Sequence, residues 1–174
     1  MANSYTYHVM KDTTEHCVIK LTASFDGTGQ ESNVSRLQAN SLYGALNTTG
    51  TALSVGGTAL PYYGLQLNRL WYDCGAGGDV QLFWSCGSDS ANQKPLIVMN
   101  GNGEYDAMGN WITIPNNAYP NANCKGDIGV VTRGMLANDS YTMVVEFRKD
   151  NAYYQRGQLN DPAAFNYGIY STRP

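Results

Sequence analysis

The sequence has few charged residues. Asp, Glu, Lys and Arg make up 14% of its 174 residues, compared with about 25% in an average soluble domain, and polar character comes instead from Asn, Thr, Ser, Gln and Tyr. The net charge is -3 and the isoelectric point is near 5.2, so no basic stripe is present to neutralise phosphates and we expect no nucleic-acid partner. This composition is typical of a protein that contacts other proteins or sugars.

Long apolar runs are also missing. No run approaches the ~20 residues of a membrane span, and the first residues lack the basic and apolar regions of a signal peptide. We therefore expect no membrane partner and a chain that is made and folded in a cytoplasm.

The signatures of common catalytic sites are absent. The sequence contains no G-x-S-x-G, H-E-x-x-H, P-loop or dinucleotide fingerprint. Glu104 and Asp106 lie two positions apart on a predicted strand and therefore face the same way, which could supply a carboxylate pair for hydrolysis of a sugar. Because no second cluster accompanies them, we interpret them as two solvated acids. We expect no catalytic residues and no cofactor.

The cysteine pattern argues against a metal site, because no C-x-x-C spacing occurs and only two histidines could join the cysteines. If residues 75–78 close a hairpin, Cys74 and Cys86 lie on opposite sheet faces, about 20 Å apart. We therefore expect no bridge between them. Since disulfides are rare in a cytoplasm, we expect the cysteines to be buried, reduced thiols. The chain has four: Cys17, Cys74, Cys86 and Cys124.

Alternating apolar and polar residues predict an all-β protein without helices. The predicted strands span residues 5–10, 17–25, 34–38, 65–74, 79–84, 96–99, 104–108, 111–114, 128–132 and 141–148. Gly-rich and Asn-rich turn signals separate nearly every pair. Many short strands at this spacing predict an antiparallel β-sandwich or barrel.

The segment 65–84 is predicted to be a hairpin. Its register sets Trp71 opposite Leu82 and Trp84 opposite Arg69, so that both tryptophans share the buried face and Arg69 lies over the Trp84 ring. The predicted buried face also includes three leucines and a valine: Leu65, Leu67, Leu82 and Val80.

Two stretches lack strand periodicity. Residues 39–64 are predicted to form a long contact loop, with a poorly ordered surface excursion as the alternative. Residues 150–174 are predicted to form an extended C-terminal arm, which leaves residues 1–149 as the β-sandwich domain. Spaced aromatic residues in both stretches are the candidate capsid or subunit contacts: Tyr43, Tyr62, Tyr63, Tyr153, Tyr154, Phe165, Tyr167 and Tyr170.

Several strand and turn motifs together resemble a family of small virion structural proteins of tailed bacteriophages, of the head decoration, or cement, type. The resemblance spans residues 17–149 and includes segments at 18–21, 26–29, 70–72, 80–84, 101–106, 114–118, 126–128 and 139–149. The family pattern ends near Lys149, and it has no catalytic residues to carry over.

The resemblance implies a jelly-roll-like β-sandwich on the capsid exterior that binds and stabilises the lattice of the major capsid protein. By analogy with cement proteins at threefold positions, it also implies a homo-oligomer, specifically a trimer. The alternative is a carbohydrate-binding sandwich displayed on the virion or tail for host attachment, in which aromatic side chains stack on sugars. A third hypothesis is a glycoside-cleaving enzyme that uses Glu104 and Asp106.

Overall fold

The computed structural model describes residues 3–32, 34–54, 56–75, 77–87, 90–107, 114–116 and 123–155. Within these ranges the chain forms ten β-strands, two short 3-10 helices at Ala39–Ser41 and Ser90–Asn92, and no α-helix, so the predicted all-β class is confirmed. The strands are β1 (Ser4–Asp12), β2 (His16–Asp26), β3 (Val34–Leu37), β4 (Leu65–Cys74), β5 (Asp79–Ser85), β6 (Lys94–Met99), β7 (Asn102–Asp106), β8 (Ile114–Pro115), β9 (Asp127–Arg133) and β10 (Ala137–Lys149).

The strands form two antiparallel sheets that bury a common core. The six-stranded sheet has the order β1-β2-β10-β4-β7, with β8 also paired to β4, and the four-stranded sheet has the order β3-β9-β5-β6. Aromatic rings meet between the sheets, with the Trp84 and Phe147 centroids 6.2 Å apart. The architecture is therefore that of a β-sandwich.

The alternation predicted for the last strand is present in β10. Tyr141, Met143, Val145 and Phe147 are buried, and the residues between them are more exposed. Strand β2 has the same period and pairs with β10 in register from Ser24 to His16. Burying a large apolar side chain contributes about 1.5–3 kcal/mol gross, so these two central strands determine which face of the sheet is the core.

The predicted hairpin between β4 and β5 does not form. Strand β4 pairs with β10, β7 and β8, whereas β5 pairs with β9 and β6 in the other sheet. The glycine-rich link between them crosses from one sheet to the other. A Cβ added to Gly78 would lie 2.6 Å from the Met135 sulfur. Glycine at this position therefore allows the link to pack closely on the β9–β10 connection, and it does not close a tight turn.

A β-bulge at Asn68 changes which β4 residues face the core. Phe147 pairs with Leu67 but Glu146 pairs with Arg69, so Asn68 is the extra residue. An extra residue reverses the side-chain alternation beyond it. Trp71 is consequently 50% exposed, and its predicted burial is wrong, whereas Trp84 is 1% exposed as predicted.

The predicted cation-π contact between Arg69 and Trp84 is also absent, because Arg69 lies on the outer face of its sheet whereas Trp84 is buried between the two sheets. The Arg69 Nε instead lies 3.1 Å from Asp106 Oδ1 on the neighbouring strand β7.

The described part of segment 39–64 packs on the sandwich. Ala39, Leu42, Ala45 and Tyr63 are core residues, and Tyr63 N donates to the Lys125 carbonyl at 2.9 Å. Gly126 has φ +97°, and a Cβ added to it would lie 2.0 Å from the Tyr63 carbonyl oxygen and overlap it. Glycine is therefore required there for the segment to reach β9.

The first six residues of the predicted arm also lie on the domain. Tyr154 is 1% exposed and forms a bridge with Ala45, and Gln155 N donates to the Gly44 carbonyl at 2.6 Å. Residues 156–174, which form the rest of the predicted arm, lie outside the described residues.

A disulfide joins Cys86 to Cys124, with the Cα atoms 4.0 Å apart, so the prediction of four reduced thiols is wrong. Its physical cause is the pairing of Ser85 with Asp127, which places the end of β5 beside the chain that enters β9. Cys17 and Cys74 are buried free thiols, as predicted for them.

Candidate binding surfaces

A depression of ≈ 280 Å³ lies on the outer face of the six-stranded sheet, around the exposed Trp71. We call it the Trp71 groove and define it by Val18, Arg69, Trp71, Glu104, Asp106, Val144 and Glu146.

Strand pairing fixes the positions of the groove residues. Val144, Trp71 and Glu104 occupy one row across β10, β4 and β7. The next row contains Val18, Glu146, Arg69 and Asp106. All four strands belong to one hydrogen-bonded sheet, which forms a rigid surface. On this surface the Trp71 indole lies between the Val144 side chain and the Glu104 carboxylate.

The groove carries more acid than base. Asp106 is paired with Arg69, and both side chains are about half exposed, at 52% and 42%. Glu146 Oε1 accepts from Asn68 Nδ2 at 3.0 Å and lies 2.8 Å from His16 Nδ1. Glu104 has no hydrogen-bond or ion-pair partner among the residues that the structure describes. Its carboxylate is therefore an acceptor that faces solvent.

A second surface follows the edge strand β1. Tyr5, Tyr7 and Val9 pair with the inward-facing Ala23, Leu21 and Ile19 of β2, so they lie on the core side of the sheet. Together with Met10, they are nevertheless 37% to 54% exposed. In the described chain β1 pairs with β2 alone, at the edge of the six-stranded sheet. The opposite, four-stranded sheet does not fully cover the core-facing side of β1. We call Tyr5, Tyr7, Val9 and Met10 the β1 strip.

Three of the predicted contact tyrosines are instead in the core. Tyr62, Tyr63 and Tyr154 are 8%, 1% and 1% exposed. The Tyr63 hydroxyl donates to the Leu46 carbonyl at 2.6 Å and accepts from Leu60 N at 3.0 Å. These side chains hold segment 39–64 and residues 150–155 on their own domain, so they present almost no surface to a partner.

The other predicted contact residues divide into two groups. Tyr43 and Tyr153 are partly buried, and the Tyr153 ring meets Tyr62 edge-on at 5.1 Å. Phe165, Tyr167 and Tyr170 lie outside the described residues.

Lys149 is a buried cation whose hydrogen bonds are satisfied. Its ammonium pairs with Asp12, donates to the carbonyls of Thr13 and Tyr43 at 2.6 and 2.8 Å, and lies 5.0 Å from the centroid of the Tyr154 ring. Burial lowers the pKa of Lys149, and the hydrogen bond to Asp12 acts in the opposite direction. We interpret this cluster as a clamp that joins the end of β10 to the β1–β2 turn and to segment 39–64.

Sequence reasoning missed both exposed surfaces. The alternation of Tyr5, Tyr7 and Val9 is visible in the sequence, but their exposure depends on how far the opposite sheet extends. The exposure of Trp71 depends on the bulge at Asn68, for which the sequence carries no obvious signal.

The described residues contain no group of three or more His, Cys, Asp or Glu side chains that could hold a metal ion. In that same part of the chain, no helix has the length and apolar character needed to cross a membrane. No family model, no curated protein and no solved structure matches the chain.

Proposed function

We propose that the chain is a non-enzymatic structural protein that decorates the head of a tailed bacteriophage. It binds the exterior of the virion and stabilises the lattice of the major capsid protein. The motifs in residues 17–149 that resemble decoration proteins support this proposal. The observation that carries it is the β1 strip, an apolar row on an edge strand.

An exposed apolar edge is a hazard for an isolated protein, because its free backbone groups and apolar side chains pair readily with other chains. The β1 strip combines both features. Tyr5, Tyr7 and Val9 face the core side, yet no described element fully covers them. A decoration protein meets its shell as a permanent partner, and burying this strip against the shell would remove the apolar side chains from water.

We propose further that the sandwich is a jelly roll. The order of eight strands supports a jelly roll. One sheet contains β2-β10-β4-β7 and the other contains β3-β9-β5-β6. Two interleaved Greek keys produce an arrangement of this kind, and such folds occur in viral capsid and lectin domains. The fold alone does not select between those functions.

The proposal includes the absence of catalysis. A glycosidase needs one carboxylic acid whose pKa is raised so that it can protonate the leaving group. Glu104 and Asp106 are both exposed on the sheet surface, and Asp106 is paired with Arg69. Neither side chain is buried in an apolar pocket of the kind that holds such a general acid.

The oligomeric state is proposed by analogy to be a trimer. We assign contacts with the shell or with a sister subunit to the β1 strip, to Tyr43 and Tyr153, and to the C-terminal aromatics Phe165, Tyr167 and Tyr170. This assignment leaves the buried Tyr62, Tyr63 and Tyr154 to the core of their own subunit.

The decisive experiment is co-sedimentation of the purified chain with empty capsids of its phage. Val9→Ser should weaken binding by about tenfold, which corresponds to about 1.4 kcal/mol. The matched control is Val98→Ser, which changes another exposed valine, 58% exposed, on the other sheet. Both variants should melt near the temperature of the parent chain.

Two results would count against the proposal. If the parent chain does not bind capsids at all, it is not a decoration protein. If Val9→Ser and Val98→Ser bind equally well, the β1 strip is not the contact.

A further inference from the structure

We propose that the Trp71 groove binds a neutral pyranose sugar. One face of the ring lies against the Trp71 indole, and its hydroxyls hydrogen-bond to Glu104 and to the Arg69–Asp106 pair. This inference does not depend on shell binding, because the groove and the β1 strip lie on opposite faces of the six-stranded sheet.

The indole supplies the stacking platform. Trp71 is 50% exposed although it lies on β4, between β10 and β7 in the interior of a sheet. An apolar aromatic face with a polar rim matches a sugar ring, which has C–H groups on its faces and hydroxyls around its edge. Val144, beside Trp71 in the same row, extends the apolar floor.

The polar groups around the indole suit hydroxyl recognition. Glu104 is directly opposite Trp71 on β7, and its carboxylate has no partner among the described residues. An ionised carboxylate forms shorter and stronger hydrogen bonds with hydroxyls than a neutral acceptor does. Arg69 uses its Nε for Asp106, which leaves its terminal N–H groups as donors.

Charge selects among sugars. Three carboxylates line the groove, those of Glu104, Asp106 and Glu146, and Arg69 is the one permanent cation among its lining residues. Lys20 and Lys11 lie farther from Trp71, one strand beyond Val144 and Val18. The carboxylate of a uronic acid or a sialic acid would be repelled by this excess of negative charge. The groove therefore favours a neutral ring.

The same features make a protein side chain a poorer occupant. Charged residues are depleted from the cores of protein interfaces, whereas here they directly flank the aromatic residue. The volume of ≈ 280 Å³ lies just below the ~300 Å³ at which small-molecule pockets begin, which suits a single ring.

The groove is also preorganised. The Asn68 bulge orients Trp71 outward, and the Asn68 side chain donates to Glu146 at 3.0 Å. Sites built on strands and supported by such hydrogen bonds hold their geometry better than sites on loops.

The test is a titration of the full chain followed by the NMR signals of its three tryptophan indole N–H groups. The Trp71 signal is assigned by its loss in Trp71→Phe. The neutral probes are the methyl glycosides of glucose, galactose, mannose and N-acetylglucosamine, and the acidic probes are glucuronic acid and N-acetylneuraminic acid. Each is added to about 50 mM, well above a dissociation constant of ~1 mM.

We expect at least one neutral glycoside to shift the Trp71 signal, and the acidic sugars to leave it unchanged. Binding of that glycoside should weaken at least about tenfold in Trp71→Ala and less in Trp71→Phe, which keeps an aromatic face. Val98→Ala, the control on the other sheet, should bind as the parent does. For variants that lack the Trp71 signal, affinity is read from ligand-observed saturation transfer.

Three results would overturn the proposal. The first is no shift with any neutral glycoside, and the second is equal affinity in Trp71→Ala and the parent chain. The third is a shift of the Trp71 signal with the acidic sugars as large as with the neutral glycosides. If no sugar binds and Trp71→Ala loses capsid binding, the groove is a protein contact.

Discussion

The Tyr154 hydroxyl donates a hydrogen bond of 2.9 Å to the carbonyl oxygen of Ala39. The same ring packs on Tyr63, with the centroids 5.6 Å apart. These contacts join a residue beyond the last strand to both ends of segment 39–64, so residues 150–155 and the segment stabilise each other on the surface of the sandwich.

Truncation should therefore have different effects at two nearby positions. A chain ending at Lys149 loses Tyr154, and removing a large buried aromatic side chain costs about 3–5 kcal/mol. A chain ending at Gln155 keeps it and should unfold at nearly the same urea concentration as the full chain. Urea unfolding followed by fluorescence measures both.

Tyr154→Phe refines this test, because it removes the hydroxyl and leaves the ring. It should cost about 1–3 kcal/mol, since the Ala39 carbonyl loses its donor in a buried site. Equal stability of the chains ending at Lys149 and Gln155 would show that residues 150–155 do not support the fold.

The Cys86–Cys124 bridge should be visible in the oxidised protein. Intact mass without reductant should be two hydrogens below the reduced mass, and alkylation after unfolding should label Cys17 and Cys74 only. The cysteines are 38 residues apart, for which loop-closure entropy predicts a stabilisation of about 4 kcal/mol. Reduction should lower the free energy of unfolding accordingly.

The control for reduction is the double variant Cys86→Ser/Cys124→Ser, whose stability should not respond to reductant. Under the proposed function, the bridge closes after the protein leaves its host cell, because disulfides form rarely in a cytoplasm. Labelling of all four cysteines in fully air-oxidised protein would contradict the bridge.

The two described tryptophans should differ sharply in their contribution to stability. Trp84 is 1% exposed and contacts Phe147, so Trp84→Ala should cost about 3–5 kcal/mol. Trp71 is half exposed, and Trp71→Ala should cost less than about 1.5 kcal/mol. Chemical denaturation of the two variants compares them directly, and similar losses would show that Trp71 belongs to the core.

The sequence predicted the strands better than their pairing. Alternation is a local property, so the span of β4 was predicted at residues 65–74, as the structure has it. Pairing depends on distant segments. The turn chemistry of residues 75–78 favoured a hairpin, but β4 pairs with β10 and β5 pairs with β9, so the two strands lie in opposite layers.

The candidate sites could be predicted only in part, for the same reason. The bulge at Asn68 shifts the alternation by one residue and moves Trp71 to the outer face. The disulfide follows from the β5–β9 pairing, which links residues far apart in the sequence. The burial of Tyr63 and Tyr154 follows from segment 39–64 folding back on the core, which its composition does not specify.

Alkaline pH should destabilise the fold through its two buried thiols. Burial, followed by the charge of Asp12, raises the pKa of Cys17 from 9.0 to about 12. Burial, followed by the charge of Asp73, raises the pKa of Cys74 from 9.0 to about 11. Above pH 9 the unfolded chain loses protons that the folded chain keeps. The stabilisation from these thiols is therefore complete below pH 9 and declines as the pH rises towards 11 and 12.

Each thiol should lower the free energy of unfolding by up to about 1.4 kcal/mol per pH unit in this window. Urea unfolding at pH 8, 9 and 10 measures the slope before the tyrosines dominate, since burial also raises the pKa values of Tyr141 and Tyr154. The double variant Cys17→Ala/Cys74→Ala should be less stable at pH 8 but should lose less stability between pH 9 and 10. Parallel losses in the parent and the variant would show that the buried thiols do not cause the alkaline destabilisation.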